Sequence, residues 1–292
     1  MTTFDTEFKY EIFRPYLEPY YQLSTGLTII SINSVCIWFH FRAAKGHLKY
    51  TSVVPFLLAS VLYGVLSSAY HIYKVFDVLG MENGFKMHIF TSLAFAIGPL
   101  LVSMSSSILA LDRVMIMAMP TKYNSRQISF KLCVLSFILC FLALLMFGVF
   151  AAPGSETVYY NFVVQFTKVV SYYVVSVCVT LETLFYLLFL VQFFVFMRRQ
   201  GNNKNKVQSV NHIVLFKIFT HIIFSAIPNL NISLWVHFKV SWDALSFLDS
   251  YQAVLFSTGV LISSVFVLVK LRPKIVVVKA VSRSVVLTTT RT

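Results

Sequence analysis

Charged residues are scarce in this sequence, at 12% of 292 residues, whereas 58% of the residues are hydrophobic. A soluble domain typically has about 25% charged and about 45–50% apolar residues. Half the usual charge cannot cover a water-exposed surface, and the apolar residues, including 29 phenylalanines, come in long runs. We therefore expect lipid to be the solvent for most of the chain, with one compact bundle and no sizeable domain outside the membrane.

Cysteine is also rare, and the four cysteines all lie within apolar runs: Cys36, Cys133, Cys140 and Cys178. A disulfide between extracellular loops needs cysteines in the connecting segments, so we expect none. Buried cysteine behaves as a small hydrophobe. The first 19 residues are polar and contain four acids, so a cleavable signal peptide is not expected either.

Seven windows are long and apolar enough to cross a bilayer, which takes about 20 mainly apolar residues for about 30 Å of hydrocarbon. In lipid the backbone must satisfy its own hydrogen bonds, as helices do, and the alternating pattern of barrel strands is absent. The predicted fold is all-α, an integral membrane bundle of seven transmembrane helices forming one domain over residues 1–292. The windows are approximately 20–41, 51–73, 89–111, 132–152, 169–197, 213–236 and 250–271, followed by a short basic cytoplasmic tail, 272–292.

Basic residues are distributed very unequally over the segments between these windows. Of the 24 Lys and Arg residues, 18 lie in the connectors after the first, third and fifth windows or in the tail, with Lys217 counted among them. The other segments hold the remaining 6. Basic residues in short loops stay in the cytosol. The split therefore predicts an amino terminus outside, a carboxyl tail inside and an odd number of crossings, which seven satisfies. Membrane orientation thus accounts for the net charge of +13, and no nucleic-acid partner is expected.

An Asp-Arg pair, Asp112 and Arg113, lies where the third window leaves the membrane, and Pro120 and Tyr123 follow it. We expect Arg113 to reach into the floor of the bundle, to be held by Asp112, and to exchange that partner when helices move, as a bistable element would. The alternative is an interfacial ion pair whose long side chain only reaches for water.

The stretch Leu109-Ala110-Leu111-Asp112-Arg113-Val114, running on to Pro120-Thr121-Lys122-Tyr123, and the stretch Phe224-Ser225-Ala226-Ile227-Pro228-Asn229 carry a family resemblance. With them, the chain resembles the nematode serpentine chemoreceptors, seven-helix G-protein-coupled receptors, and most closely their class BC. The resemblance implies a receptor in the plasma membrane of sensory neurons or their cilia. It would detect a small chemical and activate a heterotrimeric G protein through Asp112, Arg113, Pro120 and Tyr123.

Three features depart from the broader receptor pattern. Val114 stands where tyrosine commonly follows the Asp-Arg pair, and the last window, ending in 263–269, has no Asn-Pro-x-x-Tyr. No cysteine is placed to link the third window to the next outer loop. The switch in the seventh helix of rhodopsin-like receptors therefore cannot be transferred, and the outer loops must be shaped by packing.

Glu182 is the one formal charge in the middle of a predicted span. An acid there costs about 2.5–3.5 kcal/mol on the insertion scale, so it should face the bundle interior or be protonated. Counted from the cytosolic ends of their windows at ~1.5 Å per residue, Glu182 lies roughly 22 Å deep, and Asn229 and Asn231 lie roughly 18 and 21 Å deep. We expect Glu182 to pair with these asparagines rather than with His221, in a candidate ligand pocket. The alternative is a neutral glutamate that ties two helices together structurally.

Two prolines interrupt predicted helices, Pro99 after Gly98 in the third window and Pro228 in the sixth. Proline removes a backbone hydrogen bond and favours a kink. We interpret both as candidate hinges, with a static bend as the alternative. Ser103 and the serines at 105–107 are small polar residues that let helices approach closely, and we interpret them as packing residues.

No constellation for catalysis is present. The histidines mostly lie in loops or at helix ends, without His-Glu-x-x-His spacing, and one mid-membrane acid cannot form a metal site alone. We therefore expect no enzyme, cofactor or metal, and as partners a small-molecule ligand, a heterotrimeric G protein and the lipid bilayer. A multi-pass small-solute transporter is the alternative, since kinked helices and a midplane acid also suit translocation. The odd number of windows and the absence of an internal repeat oppose it.

Overall fold

The computed structural model describes residues 17–43, 51–79, 85–119, 123, 127–151, 157–200, 216–238 and 242–271. Within these ranges every regular element is helical. In chain order the α-helices are α1 (Glu18–Ala43), α2 (Val53–Val78), α3 (Phe85–Ala118), α4 (Ile128–Ala151), α5 (Thr157–Gln200), α6 (Ile227–His237) and α7 (Trp242–Leu271).

Six of these helices are long and apolar enough to cross a membrane, which confirms the prediction of an all-α membrane protein at that level. Their qualifying segments each overlap a predicted window: Glu18–Arg42, Val53–Phe76, Phe95–Ala118, Ile128–Leu145, Val169–Val195 and Tyr251–Val269.

The sixth window is helical from residue 216 onward in the described part, but the helix is not uniform. Residues 216–221 are followed by a π turn, Ile222–Ala226, which leads into α6. Proline at position 228 has no N–H to donate to the carbonyl of Phe224, and the wider i→i+5 turn falls just before it. With 11 residues, α6 is roughly 16 Å long and cannot span a bilayer. Only the whole stretch 216–237, which we call the sixth helical segment, is long enough, at roughly 33 Å.

The helices pack in a ring in the order α1, α2, α3, α5, sixth helical segment, α7 and back to α1. Helix α1 and helix α2 cross closely at two glycines, since a Cβ built on Gly64 would lie 2.8 Å from the carbonyl oxygen of Gly26. Helix α4 lies outside the ring and packs mainly on α3. The ring leaves a narrow interior lined by α3, α5, the sixth helical segment and α7.

Two apolar clusters hold the ring together. One lies between α1, α2, α3 and α7 and includes the fully buried Leu57 and Leu101. The other joins the last turns of α3 to α5 and the sixth helical segment, through Val114, Tyr186 and Ile218. The interior polar groups lie near the second cluster, so their positions are fixed by packing on both sides.

The outer surface of the helices is apolar. Large side chains such as Phe137, Phe141, Leu188, Val191 and Phe194 are exposed on α4 and α5. Monomeric soluble proteins rarely expose contiguous apolar surface of this kind. The architecture is that of a multi-pass protein embedded in a bilayer.

Candidate functional site

Glu182 forms the centre of a polar cluster inside the ring. Its side chain projects from α5 and is only 4% exposed. One carboxylate oxygen accepts a hydrogen bond of 2.5 Å from the Ser106 hydroxyl on α3. The other lies 3.5 Å from Nδ1 of His221 on the sixth helical segment. One acid therefore links three helices, as expected of a mid-membrane charge that must face the interior.

The expectation that Glu182 pairs with asparagines is wrong. The amide oxygen of Asn229 accepts a hydrogen bond of 2.8 Å from Ser176, and Asn231 lies on the exposed side of α6. The structure therefore does not gather Glu182, Asn229 and Asn231 into one pocket, and the partner is His221, which the depth estimate had excluded.

The reason is the register between α5 and the sixth helical segment. Thr183 is 2.9 Å from Nε2 of His221, Ser176 faces Asn229, and Tyr172 is 3.0 Å from Ser233. The depth estimate placed the cytosolic ends of the two windows at the same level. In the structure α5 continues to Gln200 and so extends well beyond the level of Phe216, where the described part of the sixth helical segment begins.

A cavity of 40 Å³ adjoins the carboxylate. Its polar lining comes from α3, α5, the sixth helical segment and α7: Ser103, Ser106, Glu182, Lys217, Thr220, His221, Ser225 and Ser263. A buried water needs about 10–15 Å³ on this scale, so two or three waters or a few heavy atoms of a ligand fit. Pockets for drug-sized molecules measure about 300–1,000 Å³. This conformation therefore admits only a very small molecule or one end of a larger one.

Lys217, which the charge count grouped with a basic connector, lines this cavity. Its ammonium group lies 4.1 Å from the ring centroid of Phe56 on α2, a cation–π contact. The described residues place no carboxylate within 4.0 Å of it, although Glu182 and Arg113 act on its charge from a longer distance. The sequence analysis missed Lys217 because it was counted with the basic connector before it, although four apolar residues, 213–216, separate the two.

Asp112 is buried, 2% exposed, at the end of α3. It accepts a hydrogen bond of 2.7 Å from Ser52, at the start of α2, and one of 2.5 Å from the Tyr123 hydroxyl. Burial, followed by the hydrogen bond to Asp112, raises the pKa of Tyr123 to about 12. Asp112 thus holds two segments against α3. Ser52 was not singled out from the sequence, where nothing distinguishes it from other helix-start serines.

Arg113 does not pair with its neighbour Asp112, so the expected contact is wrong. The Asp112 carboxylate bonds to Ser52 and Tyr123, whereas the Arg113 charge acts from a longer distance on Tyr123, Tyr186 and Lys217. In the described part of the chain no carboxylate lies within 4.0 Å of the guanidinium group. Pro120, the remaining residue of the predicted coupling motif, lies outside the described residues.

The two candidate hinges differ in structure. Pro99 lies inside α3, which is helical from Phe85 to Ala118 without a break. A Cβ on Gly98 would lie 2.8 Å from the ring of Tyr63, so this glycine serves close packing with α2. Pro228 follows the π turn directly and therefore coincides with a real irregularity. Whether either site bends in function stays a prediction.

No protein-family model matches the chain, and no curated protein is significantly similar to it in sequence. Among the described residues no group of three or more His, Cys, Asp or Glu side chains is arranged to hold a metal ion. The Glu182 cavity and the Asp112–Arg113 end of α3 are therefore interpreted from their own geometry.

Proposed function

We propose that the chain is a seven-helix receptor of the G-protein-coupled type, with its amino terminus outside, that detects a small chemical. On this proposal the sixth helical segment makes the seventh crossing, and the site of detection is the Glu182 cavity. The resemblance to nematode serpentine chemoreceptors adds the plasma membrane of sensory neurons as the location.

The observation that carries the proposal is the Glu182 junction. A single carboxylate contacts Ser106 on α3 and His221 on the sixth helical segment, so a ligand group that competes with Glu182 for these two partners would loosen three helices together. The irregular π turn lies immediately after His221, and π turns inside α-helices occur frequently at functional sites. A movement of the sixth helical segment would then open the surface near Arg113.

Arg113 provides the second half of the mechanism. Its guanidinium group has no carboxylate within 4.0 Å among the described residues, and its charge acts on Tyr186 of α5 and Lys217 of the sixth helical segment as well as on Tyr123. An arginine free of its neighbouring acid is available to a partner protein that docks at this end. Asp112, Ser52 and Tyr123 would stabilise the adjoining segments.

The test is a cell-based G-protein biosensor, read across small odorants after expression of the full chain. Arg113→Gln should abolish ligand responses while surface expression is retained, and Lys74→Gln, which removes a basic residue near the other end of α2, should not. Responses unchanged by Arg113→Gln would overturn the coupling role. Accumulation of solute inside cells without a G-protein signal would favour a transporter. Epitope tags at the two termini should be reached from opposite sides of the membrane.

A further inference from the structure

We infer that the Glu182 cavity is a site for a small monovalent anion, with Lys217 and Ser103 as its anchors. The anion is either inorganic, such as chloride, or the carboxylate of a small organic acid. This inference deepens the proposed receptor function by naming the chemistry of its ligand, but the binding itself does not depend on coupling to a G protein.

The first argument is a lysine that no described acidic side chain contacts. Lys217 lines the cavity with no carboxylate within 4.0 Å among the described residues, and its ammonium group lies against the face of the Phe56 ring. Leaving a lysine unpaired in a membrane interior is costly. The one acid in the cavity, Glu182, already accepts from Ser106 and contacts His221.

Among the described residues, two charged residues line the cavity, Glu182 and Lys217, and Lys217 is the one that no opposite charge contacts. Arg113 does not line the cavity, although its charge acts on Lys217 from a longer distance. Asp112 keeps its negative charge while it accepts from Ser52 and Tyr123, and it also lies outside the cavity lining. A cation would be repelled by Lys217, and water would leave the ammonium group without a counter-charge, whereas a monovalent anion would pair with it.

The second argument is an unused buried donor. The Ser103 hydroxyl is on a side chain 3% exposed, has no hydrogen-bond partner and lines the same cavity. An unsatisfied buried hydroxyl is destabilising. Ser225, in the π turn, and Ser263, on α7, also line the cavity. A lysine and several serines that line one cavity supply the donors that an anion requires.

Cavity size restricts the anion. A volume of 40 Å³ holds two or three atoms of water size, which suits chloride, formate or the head of acetate. A branched or aromatic acid would have to displace helices to enter. Affinity should therefore fall from formate and acetate to pivalate and benzoate, unless the bulky group remains outside.

The experiment uses the purified full chain in lipid nanodiscs at pH 7 and follows its thermal midpoint. Sodium gluconate, whose anion is too large for the cavity, sets the baseline, and chloride, formate or acetate replaces it at constant ionic strength. We expect a saturable rise of about 2–4 °C with a bound anion. A rise with chloride identifies an inorganic ligand, and a rise with formate and acetate alone identifies an organic acid. No rise with any of them overturns the inference.

Variants connect the shift to the cavity. Lys217→Gln should weaken the anion effect at least about tenfold, Ser103→Ala should weaken it several-fold, and Lys74→Gln should leave it unchanged. An undiminished effect in Lys217→Gln would refute the assignment, and if that variant does not fold, Ser103→Ala decides on the same criterion. Anion binding without G-protein activation would refute the proposed receptor function but not the anion site. Signalling to a neutral odorant with no anion effect would refute the anion site but not the receptor function.

Discussion

Among the described residues, the hydrogen bond between Ser106 and Glu182 is the shortest polar link between α3 and α5, at 2.5 Å. A double-mutant cycle measures what this bond contributes to stability. The perturbations are Ser106→Ala, Glu182→Gln and both together. Hydrogen bonds to a charged group contribute about 1.5–3 kcal/mol in soluble proteins. Interhelical bonds in membranes average about 0.6 and reach about 1.7 kcal/mol, because the unfolded state in the membrane also finds partners.

Glutamine keeps an acceptor oxygen for Ser106, so the cycle reports the part of the bond that depends on the negative charge. We expect a coupling of roughly 1 kcal/mol, with all three variants folded. The assay is reversible unfolding of the purified chain in mixed micelles as the share of SDS is increased, followed by helical ellipticity.

A matched control cycle combines Ser106→Ala with Thr180→Ala. Thr180 is exposed on the same helix as Glu182 and bonds only to the carbonyl of Ser176 one turn away, so its effect should add to that of Ser106→Ala. Additivity within about 0.5 kcal/mol in the Glu182 cycle as well would refute a contribution of the negative charge to this bond. Coupling of Glu182 to Asn229 instead would restore the arrangement expected from the sequence.

Two further substitutions test the frame around the site by the same unfolding assay. Gly64→Ala places a methyl group 2.8 Å from the Gly26 carbonyl oxygen and should lower the free energy of unfolding by about 1–3 kcal/mol. The control, Leu62→Ala on the exposed face of α2, should lower it less. Equal losses of stability in the two variants would contradict the close crossing. Tyr123→Phe removes a hydrogen bond to Asp112 and should cost about 1 kcal/mol. The pKa of Tyr123 is raised from 10.0 to about 12, so the protonated hydroxyl stabilises the fold fully below pH 10, and this stabilisation is lost as pH rises towards 12. The difference in unfolding free energy between wild type and Tyr123→Phe should therefore shrink between pH 10 and 12. A difference that stays constant over this range would refute the hydrogen bond to Asp112.

Apolar length was enough to predict the membrane helices, because lipid leaves the backbone no alternative to internal hydrogen bonding. Hydropathy does not fix where a helix ends, since a helix continues through polar residues once it leaves the hydrocarbon. Helix α5 begins at Thr157 and α7 at Trp242, about 12 and 8 residues before the apolar windows that predict them. These additional helical turns lie outside the apolar windows, so hydropathy does not detect them.

Glu182 was recognisable from the sequence because an acid alone in an apolar run is costly in lipid and must face the bundle interior or be protonated. Its partners were not, because they depend on the register of two helices whose ends lie at different levels, and a misalignment of eight residues moves a contact by roughly 12 Å. That is the distance along the helix from His221 to Asn229. Once His221 faces Glu182, Lys217 follows without further information, since it lies four residues earlier on the same helical face. The register between α5 and the sixth helical segment therefore determines which residues form the cavity, and packing of Tyr186 and Phe189 against Ile218 determines that register.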